Sequence, residues 1–324
     1  MREWVLHHDL RSPDFGAPRT TLYREALAMA TWADERGCPR VVISEHHGTD
    51  DGYLPSPFVF GAAVAARTER ARIMLSAVVL TLRDPVATAE DAAVLDILSG
   101  GRLELTVVPG YVREEFELFG VPFDDRGRRF EAKLAEFVAL LAGGTVERTG
   151  HQRRVTPPAV QRPRPFVIVG GAAPKRAARH GDAFLPAVVD PGQEATYREE
   201  CRRLGKGDGL LLWPGGPMWV FVTEDPERSW AELAPHVLHD ANAYAAWAAA
   251  AAPGTSPFEP AIDVAELRAS GLFAVVTPDE CVALADDLDP RGALTLKPLV
   301  AGLDPDLGWR SLELFVDQVV PRLG

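Results

Sequence analysis

Lysine is scarce in this chain. Of its 34 basic residues only Lys133, Lys175, Lys206 and Lys297 are lysines, scattered along 324 residues. Acidic residues number 46, so the formal net charge is −12. A net acidic chain without a lysine cluster disfavours nucleic acid and an anionic membrane as partners. Cysteine is scarcer still. Cys38, Cys201 and Cys281 are far apart and odd in number, so one chain cannot build from them a disulfide framework or a CxxC metal knuckle. The N-terminus runs directly into strand-like Glu3-Trp4-Val5-Leu6, with no basic region ahead of a long apolar run. No signal peptide is evident, and a reducing cytoplasm is the expected location.

What is present is a regular alternation. Trp4-Val5-Leu6 gives way to residues 21–35, where Leu22, Ala26, Met29, Ala30 and Ala33 share a helical face. Val41-Val42-Ile43 reads as a second strand, residues 58–66 as a compact helix, and residues 72–80 as an almost wholly apolar third strand covered on both faces. Asp84-Pro85 supplies an N-cap and a first-turn proline to the next helix, which Gly100-Gly101 closes. Further strands are expected at residues 103–108, 166–169, 183–185 and 294–296, and one at 218–222 in preference to Leu210-Leu211-Leu212 across a Pro/Gly turn; helices are expected at 130–141, from Pro174 and at 312–320. A polar hairpin-like segment surrounds Gly150-His151. Seven or eight strands alternating with helices argue for parallel α/β, and the even spacing favours a closed (β/α)8-type barrel over an open sheet. Residues 224–270 are alanine-rich, helical and longer than one barrel repeat needs, so the expectation is one domain over residues 1–324 with an insertion there.

Chemistry concentrates where the second strand stops. Ser44-Glu45-His46-His47 is followed by the Gly/Asp/Pro loop Gly48-Thr49-Asp50-Asp51-Gly52-Tyr53-Leu54-Pro55-Ser56-Pro57. Titratable groups at the carboxyl end of a buried strand are where α/β folds place their chemistry. Adjacent strand residues point to opposite faces, so His46 and His47 are not equivalent. Glu45 reads as structural, bonding a neighbouring strand or loop. A second element is Gly170-Gly171 ahead of Pro174, where close backbone approach and a helix N-terminus make an anion site, with Lys175 and Arg176 nearby. His236 and His239 lie three apart on one helical face, without an HExxH pattern, and read as pocket or packing residues rather than metal ligands. His7 and His8 end the first strand and offer one ring to the pocket. Lys297 reads as exposed by default, and Trp213, Trp219 and Trp247 as core.

The ordered set Glu45-His46-His47, Gly52-Tyr53-Leu54-Pro55-Ser56-Pro57, Asp84-Pro85-Val86, Leu95-Asp96-Ile97-Leu98-Ser99-Gly100-Gly101-Arg102, Gly110-Tyr111 with Glu114-Glu115-Phe116, and Val169-Gly170-Gly171-Ala172-Ala173-Pro174 resembles the bacterial-luciferase-like flavin monooxygenases. Late segments around His239, Asn242-Ala243-Tyr244 and Trp309-Arg310-Ser311-Leu312 continue the likeness, so it spans nearly the whole chain.

The resemblance implies a TIM barrel with a late insertion, holding reduced FMN or a deazaflavin at the carboxyl ends of the strands. His46 and His47 are then the catalytic candidates, His46 for proton transfer beside the flavin. Ser76, Ala77, Gly110, Tyr111, Gly170, Gly171, Ala172 and Lys175 are the cofactor-binding candidates. The resemblance also implies a cis peptide at Ser76–Ala77 and a homodimer. The segment Thr106-Val107-Val108-Pro109 departs from the family, because it adds bulk near the ring and removes a cation and an amide donor. Three readings follow. The first is a monooxygenase using reduced FMN from a separate reductase, O2 and a small organic substrate. The second is a deazaflavin-dependent hydride transferase, and the third a non-catalytic flavin-binding relative.

Overall fold

The computed structural model describes residues 3–188, 190–212, 216–250, 263–289 and 292–324. Strands form on the apolar runs: β1 (Glu3–His8), β2 (Arg40–Ile43), β3 (Arg72–Val79) and β4 (Leu103–Val108). The antiparallel hairpin β5 (Val146–Arg148) and β6 (His151–Arg153) stands apart. The main sheet resumes with β7 (Phe166–Gly171), β8 (Ala183–Pro186), β9 (Leu210–Leu211), β10 (Trp219–Val222), β11 (Phe273–Val276) and β12 (Ala293–Leu296). Its order is β11-β10-β12-β1-β2-β3-β4-β7-β8-β9, and every neighbouring pair is parallel. The architecture is the TIM-type α/β barrel that the alternation predicts.

Several elements depart from expectation, β9 and the helix Pro191–Arg203 among them, and two are informative. β11 lies in a stretch not assigned as a strand; it is the apolar, β-branched Phe273-Ala274-Val275-Val276, ended by a helix with a Thr277–Glu280 capping box. The closing helix spans Pro305–Gln318 and so begins earlier than its apolar face, because Asp304 caps it through the Asp306 amide at 3.0 Å. The expected cap at Asp84 is present, its carboxylate accepting from the Val86 and Ala87 amides at 2.9 and 3.0 Å. Helix Pro226–Ala250 fills much of the expected insertion. Residues 251–262 of that insertion, and Trp213, lie outside the described residues.

The sheet register sorts side chains onto two faces. Leu6, Val41, Ile73 and Leu103 form one row and Ile43, Leu75 and Leu105 the next, all fully buried against helix residues such as Leu22 and Ala26. The alternate row, His7, Val42, Met74 and Glu104, faces the barrel interior. At the amino end of the strands Glu104 accepts from Arg40 at 2.7 Å and pairs with Arg72, closing the barrel floor with charge. His7, Val42, Met74 and Ser76 remain partly exposed, so the carboxyl end of the interior is open.

Candidate active site

Beyond β2 the chain turns into the mouth of the barrel and carries His46 and His47 to one carboxylate. Glu115, on the short helix Arg113–Leu118 after β4, accepts the His47 amide at 2.8 Å and meets His46 Nδ1 at 2.7 Å through the same oxygen. That oxygen accepts in both contacts, so His46 Nδ1 is the donor. His46 Nε2 has no partner among the described residues and is not among the sealed polar atoms. The ring sits among aromatic walls: Trp247 at a centroid distance of 4.2 Å, Tyr53 at 4.9 Å and Tyr111 at 5.8 Å. A neutral His46 therefore presents a bare Nε2 lone pair to this space, and a protonated one is charge-balanced by Glu115. That is the arrangement of a general base or acid held by a carboxylate.

His47 turns the other way. Its Nε2 donates to Glu45 Oε1 at 2.7 Å, and Arg83 donates to the same oxygen at 2.7 Å. Glu45 also accepts the Val79 amide at 3.2 Å, which makes this buried carboxylate the structural link to the end of β3 that its position indicated. The His47 ring rests on Phe119 at 4.8 Å. His46 and His47 are thus brought to one backbone turn and separated in environment.

Inside the barrel, His7 Nε2 lies 2.7 Å from Ser44 Oγ, which lies 2.7 Å from the Ser76 carbonyl oxygen. The Ser76–Ala77 peptide is cis, as the resemblance implied, and the β3–β4 register shifts across it. Both residues are partly exposed to the interior.

A buried charge cluster underlies the aromatic wall. Arg11, 1% exposed, pairs with Asp51 and lies 3.4 Å from Asp240, with its guanidinium carbon 4.7 Å from the Tyr53 and Trp247 ring centroids. Lys297 is not exposed but buried, its Nζ 2.6 Å from Asp9 and 2.8 Å from Asp240. Burial and the Asp9 charge raise the Asp240 pKa against the pull of Lys297 and Arg11. His239 meets Asp51 at 2.8 Å, whereas His236 Nδ1 donates to the Ala301 carbonyl at 2.8 Å. Against the upward push of burial, the His239 hydrogen bond and the Arg11 charge hold Asp51 well below the usual carboxylate range. Among the described residues no cluster suits a metal ion.

The opposite side of the mouth is apolar. A Cβ on Gly170 would come within 2.7 Å of Val108 Cγ1, so glycine at 170 is what lets the bulky β4 residue enter the interior. Gly110, at φ +79°, serves its turn and lies against Val79 and Phe116. Gly171 has φ +112° and, with Ala172 and Lys175, reaches the surface. Arg176 does not replace the cation absent at Pro109, because it bonds Glu131 at 2.5 Å and the Gly127 carbonyl at 3.0 Å.

Several of these residues carried little sequence signal. Glu115 stood in the Gly110-Tyr111…Glu114-Glu115 motif without an assigned partner. Trp247 packs against the core and is also a wall of the His46 site, and Arg11, Asp9 and Asp240 come from distant segments that only the fold joins.

Residues 9–292 match the luciferase-like monooxygenase family. The 4-hydroxyprotoasukamycin monooxygenase of Streptomyces nodosus subsp. asukaensis is 27% identical, over 94% of this chain and 88% of that protein. The oxygenating constituent of 3,6-diketocamphane monooxygenase from Pseudomonas putida, solved in complex with FMN, superposes with a TM-score of 0.72 at 16% identity, over 100% of this chain and 99% of that one. An F420-dependent secondary alcohol dehydrogenase, solved with an F420–acetone adduct, superposes at 0.69 with 15% identity over 100% of both chains. Barrel, strand-end histidines and a match along most of its length agree: the chain belongs to the luciferase-like monooxygenase family.

Proposed function

We propose that this enzyme uses reduced FMN, supplied by a separate reductase, and O2 to oxygenate a small organic molecule. The observation that carries this reading is His46, whose Nδ1 is held by Glu115 at 2.7 Å and whose Nε2 opens into an aromatic-walled space. His46 takes or returns a proton at Nε2 while Glu115 balances the charge. His47, locked on Glu45 and Arg83, shapes the turn that presents His46.

Two parts of the pocket fit a flavin unequally. At the ring end, His7, Ser76 and Ala77 line an open interior with hydrogen-bonding atoms. When bound, the reduced ring supplies the electron pair that activates O2. At the phosphate end, the backbone at Gly170, Gly171 and Ala172 with exposed Lys175 would hold the anion, and Tyr111 would border the ring. This end is the weaker, since Val108 fills space beside Gly170 and Arg176 is engaged elsewhere. It is also what favours the non-catalytic reading.

The deazaflavin reading draws on the fold shared with the F420-dependent dehydrogenase. It needs a basic groove for an acidic tail; of Arg113, Lys175 and Arg176, Arg113 pairs with Asp124 at 3.3 Å and Arg176 with Glu131, which leaves Lys175 exposed. FMN is therefore the better-supported cofactor. Titrating the protein with reduced FMN, oxidised FMN and the deazaflavin, with oxygen uptake followed in parallel, tests all three readings. Deazaflavin binding without FMN binding would overturn the proposal, and FMN binding without oxygen uptake on any substrate would support the non-catalytic relative.

The helices Pro57–Ala65 and Pro85–Leu98 expose Val59 (73%), Leu98 (53%) and Val94 (45%) on neighbouring surfaces, and we infer a homodimer through them. Sedimentation of Val59→Glu as a monomer beside a dimeric parent checks this. The unpaired cysteines agree with a cytoplasmic location. No described helix is long and apolar enough to cross a membrane. The segment 224–270 is read as an insertion in one domain.

A further inference from the structure

β1 ends in two histidines that its pleat sends to opposite faces. His8 goes to the helix side, where neither ring nitrogen finds a partner. His7 faces the barrel interior and joins a chain with Ser44 Oγ and the Ser76 carbonyl, 2.7 Å at each link. The direction of that chain follows from proton counting. A serine hydroxyl carries one proton and a carbonyl only accepts, so Ser44 donates to Ser76 and His7 Nε2–H donates to Ser44. The reverse direction would set lone pairs against each other at the Ser44–Ser76 contact.

His7 is thereby held with its proton on Nε2 and a bare lone pair on Nδ1. Nδ1 has no partner among the described residues and, unlike the nitrogens of His8, is not sealed from solvent. Burial pushes the ring pKa down to about 4, with Lys297 acting in the same direction and Asp9 opposing, so the ring stays neutral near pH 7. Its contrast with His46 is chemical. His46 has a carboxylate to balance a second proton, and His7 has a serine that fixes which nitrogen stays bare.

Resting on the flavin reading above, we propose that His7 Nδ1 is a redox-selective acceptor for the isoalloxazine ring, favouring reduced over oxidised FMN, with Ser44 as its positioning residue. Two-electron reduction turns a bare ring nitrogen, N5, into an N–H donor. A fixed acceptor bonds that N–H and opposes the lone pair of the oxidised ring. In a deazaflavin the same ring position is carbon, so reduction creates no N–H there, and the device suits FMN.

The test is binding. Wild type, His7→Leu, His7→Gln and Ser44→Ala are titrated with reduced FMN under anaerobic conditions and with oxidised FMN, followed by flavin absorption and fluorescence. Wild type binds the reduced form more tightly. His7→Leu loses about fivefold in affinity for reduced FMN and less than about twofold for oxidised FMN, the scale of one hydrogen bond. His7→Gln can turn either its amide oxygen or its amide nitrogen to the ring, so it keeps affinity for both forms and loses the preference. Ser44→Ala frees the tautomer and narrows the preference. Equal weakening of both forms in His7→Leu, or an unchanged preference in His7→Gln, overturns the inference while leaving the flavin reading intact. Failure of wild type to bind either form of FMN overturns both.

Discussion

The ends of β2 and β4 lie one strand apart in the same sheet, yet they meet the pocket in opposite ways. At β2, two imidazoles are each seated on a carboxylate, Glu115 for His46 and Glu45 for His47. At β4, Val108 and Pro109 bring no ionisable group, and Val108 takes the space that Gly170 leaves. One rim carries charge and protons, and the other carries shape. The difference teaches that the chemistry of this pocket is asymmetric, with acid–base work on the β2 side and cofactor fit decided on the β4 and β7 side.

The largest expected effect breaks the chemical rim. His46→Ala should lower turnover by about 10²–10⁴-fold, the usual range for a positioned acid or base, with reduced-FMN affinity retained. Glu115→Gln should show a smaller loss and a shifted pH profile. Unchanged turnover in His46→Ala would remove His46 from the reaction.

Next in size is the charge cluster beneath the aromatic wall. Arg11→Leu leaves Asp51 and Asp240 short of a partner, and removing one member of a buried ion pair costs about 3–5 kcal/mol. Denaturant midpoints measure this, and a loss under about 1 kcal/mol would mean that the cluster is solvated after all.

The acid limb of stability is a third test. Burial lowers the His7 pKa from 6.5 to about 4 and the His8 pKa from 6.5 to about 3. The unfolded chain therefore binds more protons through this window, so stability is complete above pH about 6.5 and falls as pH drops through it. His8→Leu should flatten that fall throughout, most completely below pH about 4, and stabilise the protein by about 1 kcal/mol at neutral pH, because both nitrogens of His8 lack partners among the described residues. A steeper acid limb in His8→Leu would contradict the assignment.

The last test sharpens the other rim. Val108→Ala should cost about 1–2 kcal/mol in stability and tighten FMN binding by clearing space beside Gly170. Weaker FMN binding would show that Val108 is part of the seat rather than an obstacle to it.

How much was legible depended on whether a feature is local. The strands on apolar runs, the Asp84 cap and the placing of His46 at a strand end follow from neighbouring residues, and the structure has them. The cis bond at Ser76–Ala77 came through the likeness to a family and not through any property of serine or alanine. Lys297 departs from the exposure that is the default for lysine, because only the fold brings Asp9 and Asp240 to it. Trp247 packs against the core, as tryptophan by default does, but only the fold shows that its ring also faces His46. β11 is a four-residue apolar run just past the alanine-rich segment, too short for periodicity to separate a strand from a buried helix.

By itself the sequence determined the alternation of strands and helices, the parallel barrel and the gathering of histidines at one strand end, since periodicity and capping act between residues close in the chain. The tertiary structure alone decided which carboxylate each histidine received, which imidazole stayed neutral and where Arg11 and Lys297 were buried. Those outcomes turn on contacts between segments far apart in sequence, such as His46 with Glu115 and Lys297 with Asp9, and on the desolvation that only packing imposes.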